Sequence, residues 1–130
     1  AAAFGPGTHG ATFGGNPVCC AASRVVFETL RRPGFLDEVR RKGDLFAEGL
    51  RKIAARREDI RAVRGMGLML AIEMDGETRE LANRCLASGL VVNSTAGNVL
   101  RFLPPLTVTD GEIQQGLSML EGSLPEEGRK

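Results

Sequence analysis

From Val18 to Phe27 the chain is apolar almost without interruption, and the Asn16-Pro17 pair stands directly before that run. Asn accepts backbone N–H groups at a helix start, and Pro suits the first helical position. The pattern predicts a helix from Pro17, ended by Pro33-Gly34. Its near-continuous apolar surface is that of a helix packed on several sides. A second helix is predicted over 35–57, where Leu36, Val39, Gly43, Phe46, Leu50, Ile53 and Arg57 recur at spacings of three and four. Its other face is charged, with Asp37, Arg40, Arg41, Asp44, Glu48, Arg51 and Lys52.

The texture changes at Ile60. "IRAVRGMGLMLAIEM" carries too many glycines for a helix and predicts one or two strands with a bend at Gly65–Gly67. Asp75-Gly76 turns the chain. Leu81, Cys85 and Leu86 mark a helix over 77–88 that Gly89 ends. "LVVN" at 90–93 and "VLRFL" at 99–103 predict a hairpin around the small polar residues 94–98. Thr109 and Glu112 have capping-box spacing, and Ile113, Leu117 and Leu120 give the final helix its apolar face. Residues beyond Pro125 read as a frayed tail. The order of elements predicts a small antiparallel or mixed sheet with helices on one face, an α+β layer domain.

Composition allows a substantial core, since 42% of the 130 residues are hydrophobic and 25% charged. The net charge of +1 gives no broad attraction to nucleic acid or membrane. Residues 31–64 hold 11 Lys/Arg against 6 Asp/Glu, yet the only aromatics among them are Phe35 and Phe46, too few to interleave for base stacking, so this stretch reads as a solvated helix face. Cys19, Cys20 and Cys85 have no metal-ligand spacing and read as reduced thiols of a cytoplasmic protein. Neither a signal peptide nor an apolar stretch of membrane-spanning length is present in these residues.

Two places invite chemistry. "HGATFGGNP", residues 9–17, matches neither the dinucleotide fingerprint nor the Walker loop. Its glycines permit close backbone approach, Thr12 offers a hydroxyl, and free N–H groups at the helix start favour an anion such as phosphate. The plain alternative is a tight loop capped by Asn16. Arg101, in "NVLRFLPP", shares a strand face with Val99 and Leu103. A guanidinium there needs a counter-charge, either a structural carboxylate or a substrate carboxylate held by its fork. His9, the single histidine, reads as a capping or packing group rather than a catalyst, and Ser94 and Thr95 have no His/Asp constellation around them.

Three ordered segments also carry a resemblance. "HGATFGGNPVCCAAS", "VRGMGLMLAIEM" and "GLVVNSTAGNVLRFLPPLTVTDGEI" together resemble the class III (ornithine/acetylornithine-type) aminotransferases, which depend on pyridoxal phosphate. The wording of the third segment leans towards the acetylornithine branch. The resemblance implies an α/β chain with an α+β small domain, the C-terminal part of a fold-type I transferase. On this reading residues 1–32 end the large cofactor-binding domain, 33–124 form the small domain, and 125–130 are a tail.

The same resemblance implies roles. Thr12 matches the threonine that reaches the cofactor phosphate in the neighbouring subunit of a homodimer. Ala11 stands where many relatives place Ser or Thr, and Gly14 shapes the loop with Gly15. Arg101 matches an arginine that binds a substrate carboxylate or pairs with an acidic residue until substrate arrives. The family's Schiff-base lysine has no counterpart among Lys42, Lys52 and Lys130, none of which sits in an apolar setting that would make it an imine former. The expectation is therefore a C-terminal portion, inactive alone, of an enzyme exchanging an amino group between N-acetylornithine and 2-oxoglutarate. Ornithine, succinylornithine or 4-aminobutyrate aminotransferase, or a non-catalytic partner-binding module on the same fold, are the alternatives.

Overall fold

The computed structural model describes residues 5–7 and 10–125. The chain divides into two compact units, Ala1–Leu36 and Asp37–Lys130. His9 and the tail beyond Pro125 lie outside the described residues.

In the first unit, α1 runs from Pro17 to Leu30. Asn16 caps it as the sequence predicts: its Oδ1 accepts from the N–H groups of Val18 at 3.0 Å and Cys19 at 3.3 Å. The expectation of a helix packed on several sides is not met among the described residues. Val18, Val25, Val26 and Phe27 are all exposed. Gly34, at φ +80°, follows Pro33 in the turn between this helix and the next.

α2 (Phe35–Ala54) begins with Asp37 and Glu38 in its first turn and ends with Arg51 and Lys52 in its last, charges that complement the helix dipole. It stops three residues short of the predicted end. Arg57 continues the spacing of the apolar face but lies past the helix, where its guanidinium grips both carboxylate oxygens of Asp59 at 2.8 Å and donates to the Pro125 carbonyl at 2.9 Å. The basic stretch is paired as much as solvated, through Arg40–Asp37, Arg41–Glu38, Arg41–Asp110, Lys52–Glu48, Arg56–Glu121 and Arg61–Asp75.

Two strands follow, β1 (Ile60–Met66) and β2 (Met69–Met74), joined by a tight turn at Gly67-Leu68. Next come α3 (Arg79–Ala87), β3 (Asn93–Thr95), β4 (Val99–Phe102) and α4 (Asp110–Ser123). All pairings are antiparallel, in the order β1-β2-β4-β3. The mixed alternative is thereby removed. β3 lies three residues later than its apolar run predicts. Leu90 and Val92 pack against the core as irregular chain, and pairing is taken up by Asn93, Ser94 and Thr95 opposite Arg101, Leu100 and Val99. α4 carries its capping box in full: Thr109 Oγ1 accepts from the Glu112 N–H at 3.2 Å, and Glu112 Oε2 accepts from the Thr109 N–H at 2.7 Å.

Alternation sorts the sheet into two faces. Leu70, Ile72, Leu100 and Phe102 point to one side and form a core with Phe46, Leu50 and Ile53 of α2, Leu81 and Cys85 of α3, and Ile113, Leu117 and Leu120 of α4. Phe46 meets Phe102 edge-on at 5.4 Å between ring centroids. Leu50, Ile72, Leu100 and Leu120 are almost wholly buried, each worth about 1.5–3 kcal/mol relative to exposure. Arg101 stands on the other face, away from the core residues of α2, α3 and α4.

Candidate functional site

The first candidate region is the loop before α1. Consecutive turns shape it, with the Gly14 N–H donating to the Ala11 carbonyl at 3.2 Å and the Asn16 N–H to the Phe13 carbonyl at 3.1 Å. Gly15 has φ +77°, a left-handed conformation that glycine adopts without penalty and that turns the chain into the cap. Ala11, Thr12 and Gly14 are all exposed and share this one loop. The Thr12 hydroxyl has no hydrogen-bond partner among the described residues. One expectation changes here: Asn16 already occupies two of the N–H groups at the helix start. An anion at this loop would be held by Thr12 and the loop backbone rather than by those two donors. Beside the loop, Phe13, Gly14, Gly15, Cys19, Cys20 and Phe27 line an open groove of about 610 Å³.

The second region is the face of the sheet opposite the core. Register places Arg64, Ala71, Arg101 and Asn93 opposite one another across the four strands. The adjoining row is Ala62, Glu73, Val99 and Thr95. Arg101 is half-buried. Its guanidinium makes no ion pair or hydrogen bond with any described residue. The only carboxylate in these two rows, Glu73, is held by Arg64 at 3.1 Å. Of the two counter-charges open to Arg101 on the sequence, a structural acid within the chain and a carboxylate from outside, the first is absent among the described residues. A half-buried, always-charged fork without a protein partner is suited to a planar carboxylate.

Neighbouring polar groups brace this face. Thr78, fully buried, places its Oγ1 2.8 Å from Ser94 Oγ and within reach of the carbonyls of Gly97 (3.2 Å) and Val99 (3.1 Å). The Asn98 side-chain amide donates to the Met74 carbonyl at 3.2 Å. These bonds tie the 96–98 turn to the end of β2 and the start of α3. No group of three or more potential metal ligands exists among the described residues. Lys52 is engaged with Glu48 at 2.7 Å, and Lys42 is half-exposed on α2. Arg64, Glu73 and Asn93 were not singled out from the sequence. The signal that locates them is alternation within the hairpin, which needs the register to be read.

Comparison with known proteins decides the family. The model of the class III aminotransferases matches residues 1–124. This chain belongs to the class III aminotransferases. Among curated members it is 44% identical over 126 residues to the acetylornithine aminotransferase of Caldanaerobacter subterraneus, covering 96% of this chain and 32% of that protein. It is 41% identical over 120 residues to the ornithine aminotransferase of Bordetella pertussis, covering 90% of this chain and 28% of that one. Among solved structures it superposes on the acetylornithine aminotransferase of Elizabethkingia anophelis with a TM-score of 0.80 at 29% identity, over 92% of this chain and 33% of that one. On an ornithine aminotransferase of Toxoplasma gondii, in which PLP partly occupies the active site, the TM-score is 0.78 at 33% identity, over 92% of this chain and 29% of that one. The chain thus spans about a third of the length of the class III relatives it matches. No described helix is long and apolar enough to cross a membrane.

Proposed function

We propose that this chain is the C-terminal portion of a pyridoxal-phosphate-dependent aminotransferase that moves an amino group between N-acetylornithine and 2-oxoglutarate in arginine biosynthesis. The observation that carries the reading is Arg101, a half-buried guanidinium on the open sheet face with no counter-charge among the described residues. Both proposed substrates are carboxylic acids, and a two-point N–H···O contact orients such a group as well as binding it. Similarity to acetylornithine aminotransferases over nearly the whole chain supports that donor over ornithine, succinylornithine or 4-aminobutyrate.

When bound, pyridoxal phosphate supplies the electron sink for the transfer, while the protein supplies position and charge. Residues 1–32 would end the large domain, 33–124 form the small domain, and 125–130 a tail. Thr12, exposed and unengaged, is suited to donate to the cofactor phosphate, reaching the neighbouring subunit's site in a cytoplasmic homodimer. Gly14 and Gly15 shape its loop, and Ala11 offers no second hydroxyl. Neither described lysine lies in an apolar setting, so the chain fits the phosphate contact and not the imine-forming role. Alone it is inactive.

The test is a chimera in which this chain replaces the aligned third of the Caldanaerobacter subterraneus enzyme. A chimera that transaminates N-acetylornithine with 2-oxoglutarate, while the isolated chain does not, supports the reading. A folded, cofactor-loaded chimera that ignores 2-oxoglutarate would sink it.

A further inference from the structure

The open sheet face holds a competition that the chain has settled in one direction. Arg64 and Arg101 stand opposite Ala71 from its two sides, on β1 and β4. Glu73 lies two residues further along β2, diagonal to both arginines. Diagonal neighbours on one face of an antiparallel sheet lie about 7–8 Å apart or less, within reach of long side chains. Either guanidinium therefore has access to the same carboxylate. Glu73 is bound by Arg64 at 3.1 Å, and Arg101 is left unpaired among the described residues. Ala71, with only a methyl group, puts no bulk between the three long side chains.

The choice runs against simple desolvation. Arg101 is the more buried of the two arginines, since the Arg64 side chain is 60% exposed. An unpaired guanidinium costs more where water is scarcer, so Glu73 without Arg64 would turn to Arg101. No other carboxylate occupies the two rows. Asp75, just beyond them, is paired with Arg61.

We propose that Arg64 is a positioning residue: by engaging Glu73 it keeps the Arg101 guanidinium open for an incoming carboxylate. The proposal rests on the reading of Arg101 as the carboxylate-binding group, which it deepens by naming what keeps that group available. It does not require Arg64 to touch substrate.

Two measurements separate the positioning claim from that reading. In the 130-residue chain itself, phenylglyoxal modification of Arg101, followed by peptide mass spectrometry, reports how free the guanidinium is. Arg64→Gln should slow modification by about two- to fivefold, the range a partly exposed ion pair supports. Arg64→Lys, which keeps the charge, should leave the rate near that of the unaltered chain, and Arg64→Gln with Glu73→Gln should restore it. Equal rates in the unaltered chain and in Arg64→Gln would overturn the proposal. In the chimera, Arg64→Gln should raise KM for 2-oxoglutarate by a similar factor with kcat little changed, again reversed by Glu73→Gln. If Arg101 reactivity follows the pattern while KM stays fixed, the positioning role stands and the substrate role assigned to Arg101 falls.

Discussion

Replacing Gly43 by alanine sets two effects of opposite sign against each other. The residue lies inside α2, where alanine is favoured over glycine by about 0.5–1 kcal/mol. It also faces the turn of the β1–β2 hairpin. A Cβ built there falls 2.5 Å from the Gly67 carbonyl oxygen, 2.6 Å from its carbon and 2.8 Å from its Cα. Carbon contacts are optimal at about 3.5–4.0 Å, so helix and hairpin must part by on the order of 1 Å. Every atom met is backbone, so no change of rotamer relieves the clash. Overpacking costs typically about 1–3 kcal/mol, and a clash this deep belongs at the upper end. The net expectation for Gly43→Ala is a loss of about 2 kcal/mol, or roughly 8–16 °C in Tm for a unit of this size. Gly122 in the last turn of α4 is the control, because its Cβ would meet nothing within 4 Å. Gly122→Ala should be neutral or raise stability by up to about 0.5 kcal/mol. Urea titrations followed by circular dichroism at 222 nm compare the three proteins. A Gly43→Ala chain as stable as the Gly122→Ala chain would refute the close approach of α2 to the hairpin that carries Arg64 and Glu73.

Further predictions concern other parts of the chain. Thr78→Val should cost about 1–3 kcal/mol in the same titrations, because the buried hydroxyl bridging Ser94 and two carbonyls disappears. An unchanged midpoint would show that those bonds contribute nothing net. The carboxyl of Asp59 is held below the ordinary range by the Arg57 guanidinium. A native pKa below the unfolded one means that its stabilisation is complete above the unfolded value, near pH 4, and is lost as pH falls through the lower native value. Asp59→Asn should therefore flatten the acid limb of a stability–pH curve, and an unaltered limb would contradict the pairing. In the chimera, Thr12→Ala should weaken pyridoxal phosphate binding by about ten- to a hundredfold, as loss of a hydrogen bond to a charged group predicts. Equilibrium dialysis giving the same Kd for both would dismiss Thr12 as a phosphate contact.

Local signals in the sequence were strong wherever the chemistry is local. Asn16-Pro17, Thr109 with Glu112, and the spacing of Phe46, Leu50 and Ile53 each fix an element through contacts within a few residues, and the structure places all three as read. Where pairing across the chain decides, the reading slipped. Leu90 and Val92 look like strand residues, but the core takes their side chains, and the ladder starts only at Asn93. The apolar surface of α1 is plain in the sequence, whereas the exposure of Val18, Val25, Val26 and Phe27 is not. Arg101 was legible as a charge in an apolar strand. That it has no partner among the described residues, while Arg64 holds Glu73 in the adjoining row, is a property of register and could not be read from spacing alone.

Steady-state kinetics of the chimera test most directly whether Arg101 receives a carboxylate. Arg101→Ala and Arg101→Lys should each raise KM for 2-oxoglutarate, Arg101→Ala by at least about tenfold, since a lysine keeps the charge but not the planar fork. Wild-type saturation by 2-oxoglutarate in the folded, cofactor-loaded Arg101→Ala chimera would contradict the account.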